Sequence, residues 1–149
     1  MTVTITAPKE TRANEKRGAI VPAIGAKLEK LGIEASVQKG AGEAARIPDD
    51  AFEHAGIKVG NLELGKADVV LSVNPPSPTE IKKMKKGSIL LSFVYANREP
   101  KVVKALAEQG VTCFAMELVP RITRAQAMDA LSTQAALVGY YGGLLAATN

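Results

Sequence analysis

The sequence has few of the side chains on which metal and disulfide chemistry depend. It contains one cysteine, one histidine and no tryptophan. A single cysteine excludes an internal disulfide, and Cys113 and His54 alone are too few ligands for a zinc site. No run reaches the 18 apolar residues of a membrane span, and the first residues lack the charged start and apolar block of a signal peptide. We therefore expect a cytoplasmic protein without a metal.

The charge pattern argues against a nucleic-acid partner. The 149 residues include 19 basic and 15 acidic side chains, a formal charge of +4, and the two signs alternate along most of the chain. One dense cluster, residues 82–86, has four lysines around Met84 but no neighbouring aromatic side chain on which bases could stack. We interpret it as a solvated helix end, where cations suit the negative end of the helix dipole.

Short β-rich runs alternate with helical patterns along the whole length. Strands are predicted at residues 3–7, 33–38, 67–73, 88–93 and 111–116, and helices at 21–31, 48–55, 79–86 and 100–109. Such alternation is typical of parallel strands joined by right-handed crossovers. The sequence thus predicts a single α/β domain over residues 1–149. We expect a flavodoxin-like or Rossmann-like open, mostly parallel sheet with helices on both faces.

In a sheet of this kind ligands bind beyond the carboxyl ends of the strands. The loops that follow the predicted strands, and therefore the candidate binding loops, are residues 8–17, 74–77, 94–99 and 117–129. The G-x-G-x-x-G fingerprint of a dinucleotide site is absent, and Gly40-Ala41-Gly42 lacks the third glycine. We interpret residues 40–42 as a plain loop.

The last segment has a long, apolar helical pattern at about residues 125–147. No later element could cover its apolar positions, among them Met128, Leu131, Val138 and Leu144. A second copy of the chain is the commonest cover for such a surface. We therefore expect a homodimer.

The most specific stretch is residues 120–134, PRITRAQAMDALSTQ. From spacing alone, Thr123 and Gln126 form a capping box and Arg121 pairs with Asp129 on the surface. The alternative is a ligand-positioning role, since Arg121 can reach a carboxamide or phosphate and Gln126 supplies both a donor and an acceptor.

This stretch resembles the P-R-x-[ST]-R-A-Q-x-M-D-x-L-S-[ST]-Q run of the proton-translocating NAD(P) transhydrogenase α subunit. The similarity continues at residues 9–17, 40–44, 67–70 and 73–76 and covers essentially the whole chain. The protein is thus similar to the alanine dehydrogenase/transhydrogenase N-terminal domain family.

The resemblance implies an oxidoreductase role in hydride transfer between NADH and NADP⁺. Arg121, Gln126, Asp129 and Ser132 match the residues that position the nicotinamide of NAD(H) in that family. No acid or base is needed, because the cofactor itself carries the chemistry. NADP(H) is expected on a partner domain, and a membrane domain is expected to carry the protons, so the protein would be peripheral on the inner membrane through its partners.

The resemblance also implies an incomplete site. In the family a Rossmann subdomain that binds NAD follows the long helix, so residues 1–149 would supply one wall of the cleft and be inactive alone. Two other functions stay open: a non-catalytic binding or assembly module of the same fold, and a fragment similar to alanine dehydrogenase.

Comparison with alanine dehydrogenase points to three substrate-side candidates. Arg17 matches the arginine that holds the substrate carboxylate, although without the resemblance its sequence context favours an arginine that is simply solvated with Arg12 and Lys16. Asn74 stands at the position of a catalytic lysine and Tyr95 at that of a histidine. A neutral amide and a phenol are poor replacements at neutral pH, so we expect no alanine dehydrogenation.

Overall fold

Alternating strands and helices fold into a six-stranded parallel sheet in the computed structural model, which describes residues 2–148. The strands are β1 (Val3–Ala7), β2 (Ile33–Gln38), β3 (Lys58–Gly60), β4 (Val69–Leu71), β5 (Ile89–Ser92) and β6 (Thr112–Ala115). Their order across the sheet is β3-β2-β1-β4-β5-β6. The order reverses between β1 and β4, and such a switch point opens a crevice beyond the carboxyl ends of the two strands. The predicted Rossmann-like α/β class is confirmed.

Five α-helices connect and follow the strands. They are α1 (Gly25–Lys30), α2 (Asp49–His54), α3 (Pro78–Ile81), α4 (Pro100–Gln109) and α5 (Ala130–Thr148). Short 3₁₀ turns lie at Pro22–Ile24, Glu43–Ala45, Met116–Leu118 and Thr123–Met128. The chain divides into two compact units, Met1–Phe114 and Ala115–Asn149.

One face of the sheet packs beneath α1 and α2. Leu28 of α1 and Phe52 of α2 are buried against Ala7 of β1 and Val37 of β2. Phe52 is 1% exposed and centres this cluster. Burial of such an aromatic side chain stabilises the fold by roughly 2–3 kcal/mol, so this layer fixes the position of β1 and its following loop.

The opposite face packs beneath α3 and α4. Thr6 lies beside Val70 and Val70 beside Leu90, so these three side chains share the face opposite to Ala7. Right-handed crossovers that run β4-α3-β5-α4-β6 place both helices on that face. Val70 and Leu90 are completely buried, as is Ile81 of α3.

The structure corrects several predicted boundaries. β3 was not predicted, and α3 ends at Ile81 rather than near Lys86. Beyond Ile81 the backbone makes i→i−3 bonds, such as Met84 N to Ile81 O at 3.0 Å, and a Gln109 amide donates to the Met84 carbonyl at 2.6 Å. A contact distant in sequence therefore ends the helix, and the four lysines lie in the turn that follows it.

The second unit consists of two 3₁₀ turns, Met116–Leu118 and Thr123–Met128, and α5. Its helix begins at Ala130, whereas the sequence pattern predicts a start near residue 125. Asp129 separates the second turn from α5 with a ψ of 87°. Residues 130–148 contain no charged side chain, and Leu137, Val138, Tyr140 and Tyr141 are each more than 60% exposed. Within residues 2–148 no helix is both long and apolar enough to cross a membrane.

The first turn of α3 provides a test of local stability. Ser77 accepts a hydrogen bond from Glu80 N, and the Glu80 carboxylate accepts one from Ser77 N at 2.8 Å. We expect Ser77→Ala to lower the free energy of unfolding by about 1 kcal/mol, because this capping box is lost. Urea unfolding measures the change. Thr79→Ala, an exposed position in the same helix, is the control, and an equal loss there would contradict the assignment.

Candidate functional site

The loops after β1 and β4 meet at the switch point of the sheet, through the carboxylate of Glu10. This carboxylate accepts hydrogen bonds from Val73 N at 2.6 Å, Asn74 N at 3.1 Å and Asn74 Nδ2 at 3.0 Å. Proline at 75 and 76 prevents β4 from continuing, so the two amides at its end can donate to Glu10. Glu10 thereby fixes the first loop to the end of β4.

A second carboxylate, Glu15, connects Arg17 to Asn74. Arg17 donates to Glu15 through Nε at 2.8 Å and Nη2 at 2.7 Å, and its backbone N–H adds a bond at 3.0 Å. Asn74 Nδ2 donates to the same carboxylate at 3.1 Å. The Glu15 side chain is 11% exposed and that of Arg17 is 48% exposed. This forked geometry is the strong form of a charge-assisted pair.

The pair shifts the pKa of both groups. Hydrogen bonds from the Arg17 side chain hold the pKa of Glu15 at about 2, below its ordinary 4.5, although burial opposes the shift. The Glu15 carboxylate in turn raises the pKa of Arg17, with smaller electrostatic contributions from Glu10 and Tyr95. Glu15 and Arg17 therefore form an ionised pair at neutral pH.

Tyr95 follows β5 in a backbone conformation that is rare for a side-chain-bearing residue. Its φ is +48°, and its carbonyl accepts from Arg98 N at 2.7 Å and Glu99 N at 3.2 Å. The ring stacks on Phe93 at 6.3 Å between centroids, and the Arg98 guanidinium lies 5.8 Å from the ring centroid. Non-glycine residues held at positive φ are concentrated at functional sites.

An ion pair connects the loops after β1 and β5. Arg12 Nη2 lies 2.6 Å from Glu99 Oε1. A cleft of about 230 Å³ opens between the first loop and the proline-rich loop, and its lining includes Arg12, Asn74 and Glu99. A larger cavity of about 460 Å³ lies over β1, β2 and β3, but none of the predicted site residues lines it. The substrate-side candidates Arg17, Asn74 and Tyr95 thus belong to one edge of the sheet, as the sequence predicts.

The second unit contains the other predicted set, centred on Asp129. One oxygen of this carboxylate accepts from Leu131 N at 3.1 Å and Ser132 N at 3.0 Å, and the other accepts from the Ser132 hydroxyl. These bonds lower the pKa of Asp129, and the bonds from Ser132 have the largest effect. The positive charge of Arg121 lowers this pKa further. Asp129 is 7% exposed, whereas Arg121, Gln126 and Ser132 are exposed. Asp129 therefore acts as the N-terminal cap of α5.

The structure decides against the capping-box interpretation of this stretch. The 3₁₀ segment Thr123–Met128 has no side-chain cap bond, so the capping box suggested by Thr123 and Gln126 is not formed. Arg121 and Asp129 influence each other electrostatically, but among the described residues no ion pair within 4 Å joins them. Gln126 and Arg121 thus have exposed polar groups that are available to a ligand.

Sequence reasoning missed two members of the first-unit site, Glu10 and Glu15. Both lie in the loop that was predicted to bind ligands, and a glutamate two residues before Arg17 is a local signal for a pair. The partner of Glu10 is 64 residues away in the sequence. Nothing in the local pattern indicates that contact.

Comparison with known proteins gives a consistent assignment. Residues 6–138 match the family model described as "Alanine dehydrogenase/PNT, N-terminal domain". The NAD(P) transhydrogenase subunit alpha of Haemophilus influenzae is 40% identical over 134 residues, which cover 89% of this chain and 26% of that subunit. The alanine dehydrogenase of Bacillus subtilis is 32% identical over 114 residues, which cover 75% of this chain and 30% of that enzyme.

A solved structure extends the similarity to three dimensions. The crystal structure of transhydrogenase from Sinorhizobium meliloti superposes with a TM-score of 0.90 at 41% identity, and the match covers 97% of this chain and 44% of that one. The chain spans 26–38% of the length of the transhydrogenase subunits it matches. Fold, motif and sequence identity agree along nearly the whole chain, which therefore belongs to the alanine dehydrogenase/PNT N-terminal domain family.

Proposed function

We propose that this chain is the N-terminal portion of the NAD(H)-handling subunit of a proton-translocating NAD(P)⁺ transhydrogenase. The observation that carries the proposal is the arrangement of Arg121, Gln126, Asp129 and Ser132 around the start of α5. Relatives named as transhydrogenase subunits, at 40–42% identity, support it. In the complete subunit NADH donates a hydride, and NADP⁺ on a partner domain accepts it.

The donor set of these four residues fits the nicotinamide end of NAD(H). Ser132 donates its hydroxyl proton to Asp129, so its oxygen keeps lone pairs that can accept from a carboxamide NH₂. Gln126 offers both an acceptor and a donor, and Arg121 offers a fork of donors. The lowered pKa of Asp129 keeps its negative charge at neutral pH, where it orients Ser132 by hydrogen bonds and attracts Arg121 electrostatically.

In this mechanism the chain's residues supply placement rather than proton transfer. The nicotinamide supplies the hydride when it is bound, and the protein's task is to hold the ring and its carboxamide in the reacting geometry. Asp129 fixes Ser132 at the start of α5 by hydrogen bonds. Gln126 in the 3₁₀ segment and Arg121 just before it would contact the nicotinamide carboxamide. Neither the loops nor the strand ends carry a phosphate-binding glycine motif, so we propose that the pyrophosphate is held by a further, Rossmann-type subdomain.

The partners follow from the same proposal. They are the NAD-binding Rossmann subdomain, an NADP(H)-binding domain and a membrane domain that conducts protons. A helix that is apolar all round is normally buried, and α5 is uncharged and exposed. This supports a homodimer in which a second copy of the chain covers α5. The chain itself is proposed to be cytoplasmic and peripheral on the inner membrane through its partners.

Alanine dehydrogenation is not proposed, because of what surrounds Asn74. Its amide bridges two carboxylates, Glu10 and Glu15, and Arg17 is already engaged by Glu15. The cation that an amino-acid carboxylate would need is therefore already occupied by Glu15.

A chimera tests the proposed function. This chain would replace the matching segment of the Haemophilus influenzae subunit alpha, and hydride transfer from NADH to NADP⁺ would be assayed in the assembled transhydrogenase. We expect activity in the chimera and about a hundredfold loss with Arg121→Ala, since a misplaced reacting group costs roughly that factor. Arg124→Ala, a nearby exposed arginine, is the matched control and is expected to retain activity.

A folded chimera that binds NADH but transfers no hydride would refute the proposal. Equal losses in the Arg121 and Arg124 variants would refute the assigned role of Arg121. For the isolated chain, calorimetric titration is expected to show no saturable NADH binding at millimolar ligand. Saturable binding that Arg121→Ala abolishes would mean that these residues form a working cleft without a second subdomain.

A further inference from the structure

The positive charge of the chain is concentrated in one segment of the first unit. Residues 78–109 include seven basic and three acidic side chains, so this segment alone accounts for the formal charge of +4. The remainder of the chain has twelve side chains of each sign. Such asymmetry creates a local positive potential that does not follow from the modest net charge.

The lysine turn after α3 is anchored through its central residue, Met84, and its four lysine side chains are exposed. Met84 at its centre is 2% exposed, and its carbonyl accepts from Gln109 Nε2 at 2.6 Å. Lys85 pairs with Asp68 at 2.7 Å, and Asp68 in turn accepts from the backbone of Thr4 in β1 at 3.0 Å. The turn is therefore anchored to both the sheet and α4.

Three lysines of this turn have no acidic partner. Lys82, Lys83 and Lys86 are exposed, and among the described residues none of them forms an ion pair within 4 Å. Unlike Lys85, they have no neighbouring carboxylate that offsets their charge. They form what we name the basic surface.

The adjacent helix carries two more exposed lysines of the same basic segment. Helix α4 packs beside α3, and its Lys101 and Lys104 are exposed. Glu108 lies 3.8 Å from Lys104, and both side chains are more than half exposed, so this contact is weak. The other acidic groups of the segment are engaged elsewhere, Glu80 in the Ser77 cap and Glu99 with Arg12. The basic surface thus consists of Lys82, Lys83 and Lys86, and Lys101 and Lys104 add further positive charge on the neighbouring helix.

We propose that the basic surface binds the anionic headgroups of a phospholipid bilayer. Its cations are all lysines, which act as compact point charges and lack the bidentate fork by which arginine reads phosphates and bases. No tryptophan occurs in the chain, and no aromatic residue lies within residues 78–92, so a stacking platform for nucleic-acid bases is missing. Clustered lysines close to an anionic leaflet each add an attraction that salt weakens.

Vesicle sedimentation with the 149-residue chain tests this proposal. Vesicles of about 70% phosphatidylcholine and about 30% phosphatidylglycerol are compared with pure phosphatidylcholine, at low and at high salt. We expect binding to the anionic vesicles only, and its loss at high salt. The variant K82Q/K83Q/K86Q is expected to lower the partition coefficient by about a hundredfold, the change expected for three lysines near such a surface.

A charge-matched variant separates the basic surface from net charge. K27Q/K30Q/K39Q removes the same three charges from exposed positions on other elements and is expected to change binding only a few-fold. Pure phosphatidylcholine reports any insertion of the apolar α5, which needs no anionic lipid. Equal losses in the two triple variants, equal binding to both vesicle types, or tighter binding to a DNA duplex of about 20 base pairs than to anionic vesicles would each overturn the proposal.

Discussion

Gly25→Ala is expected to destabilise the first unit by about 3 kcal/mol, at the upper end of what overpacking costs. A β-carbon at Gly25 would lie 2.0 Å from the Ala55 carbonyl oxygen and 3.0 Å from its carbonyl carbon. Both atoms are backbone, so no side chain can rotate away. Helices α1 and α2 would have to separate, and the cluster around Phe52 would lose its packing.

Thermal unfolding measures this loss. A decrease in Tm of roughly 10 °C is expected for a chain of this size. The matched control is Gly139→Ala, because Gly139 is also helical but a β-carbon there meets nothing within 4 Å. Alanine is the better helix former by roughly 1 kcal/mol, so the control should be neutral or stabilising. Equal stability of the Gly25 variant and the wild-type protein would show that α1 and α2 do not pack as closely as the structure indicates.

Much of the fold could be predicted from local patterns. The bounds of β1, β2 and α4 agree with the prediction to the residue. Each of these elements has a clear residue signal at one or both of its boundaries. Pro8 follows β1, Gly32 precedes β2, and α4 begins at Pro100 and ends before Gly110, which has a φ of +70°. Where a proline or glycine marks the boundary of a strand or helix, the local sequence is sufficient to predict that boundary.

Elements whose limits depend on distant contacts were missed or misplaced. β3 has three residues, and two of them, Lys58 and Gly60, are exposed, so only its pairing with β2 makes it a strand. The end of α3 depends on Gln109, which donates to the Met84 carbonyl. The start of α5 is different, because an aspartate is a strong N-cap and Asp129 could have been recognised as one.

The candidate site also has a part that the sequence predicts and a part that depends on contacts between distant residues. Resemblance to a family supplied Arg121, Gln126, Asp129 and Ser132, and also Arg17, Asn74 and Tyr95. Glu15 joins Arg17 to Asn74, and Glu10 also binds Asn74. These two glutamates lie 59 and 64 residues before Asn74 in the sequence. Sequence spacing gives information only about residues that are close along the chain. It could therefore identify the binding loop at residues 8–17 but not the hydrogen bonds from Glu10 and Glu15 to Asn74.

The ion pair of Arg17 and Glu15 at the switch point carries the second large effect, and its test is Glu15→Gln. Glutamine keeps the shape but loses the charge that holds Arg17 in two hydrogen bonds and anchors Asn74. We expect a loss of about 2 kcal/mol in the free energy of unfolding at pH 7, since hydrogen bonds to charged groups contribute roughly 1.5–3 kcal/mol. Glu43→Gln is the control: Glu43 pairs with Lys9 at 2.8 Å but is 67% exposed, so its removal should lower stability much less than the removal of Glu15.

The pH dependence distinguishes a charge effect from a packing effect. The pKa of Glu15 is about 2 in the folded chain, below the ordinary 4.5 that we expect on unfolding. A depressed folded pKa means that the stabilisation is complete above pH 4.5 and is lost as the pH falls toward 2. In urea unfolding the difference between wild type and Glu15→Gln should therefore be constant from about pH 7 to about 5, with more than half of it gone by about pH 3. A difference that stays constant down to about pH 3 would mean that Glu15 stabilises the loop by its shape, and that its charge is not what holds Arg17 and Asn74 together.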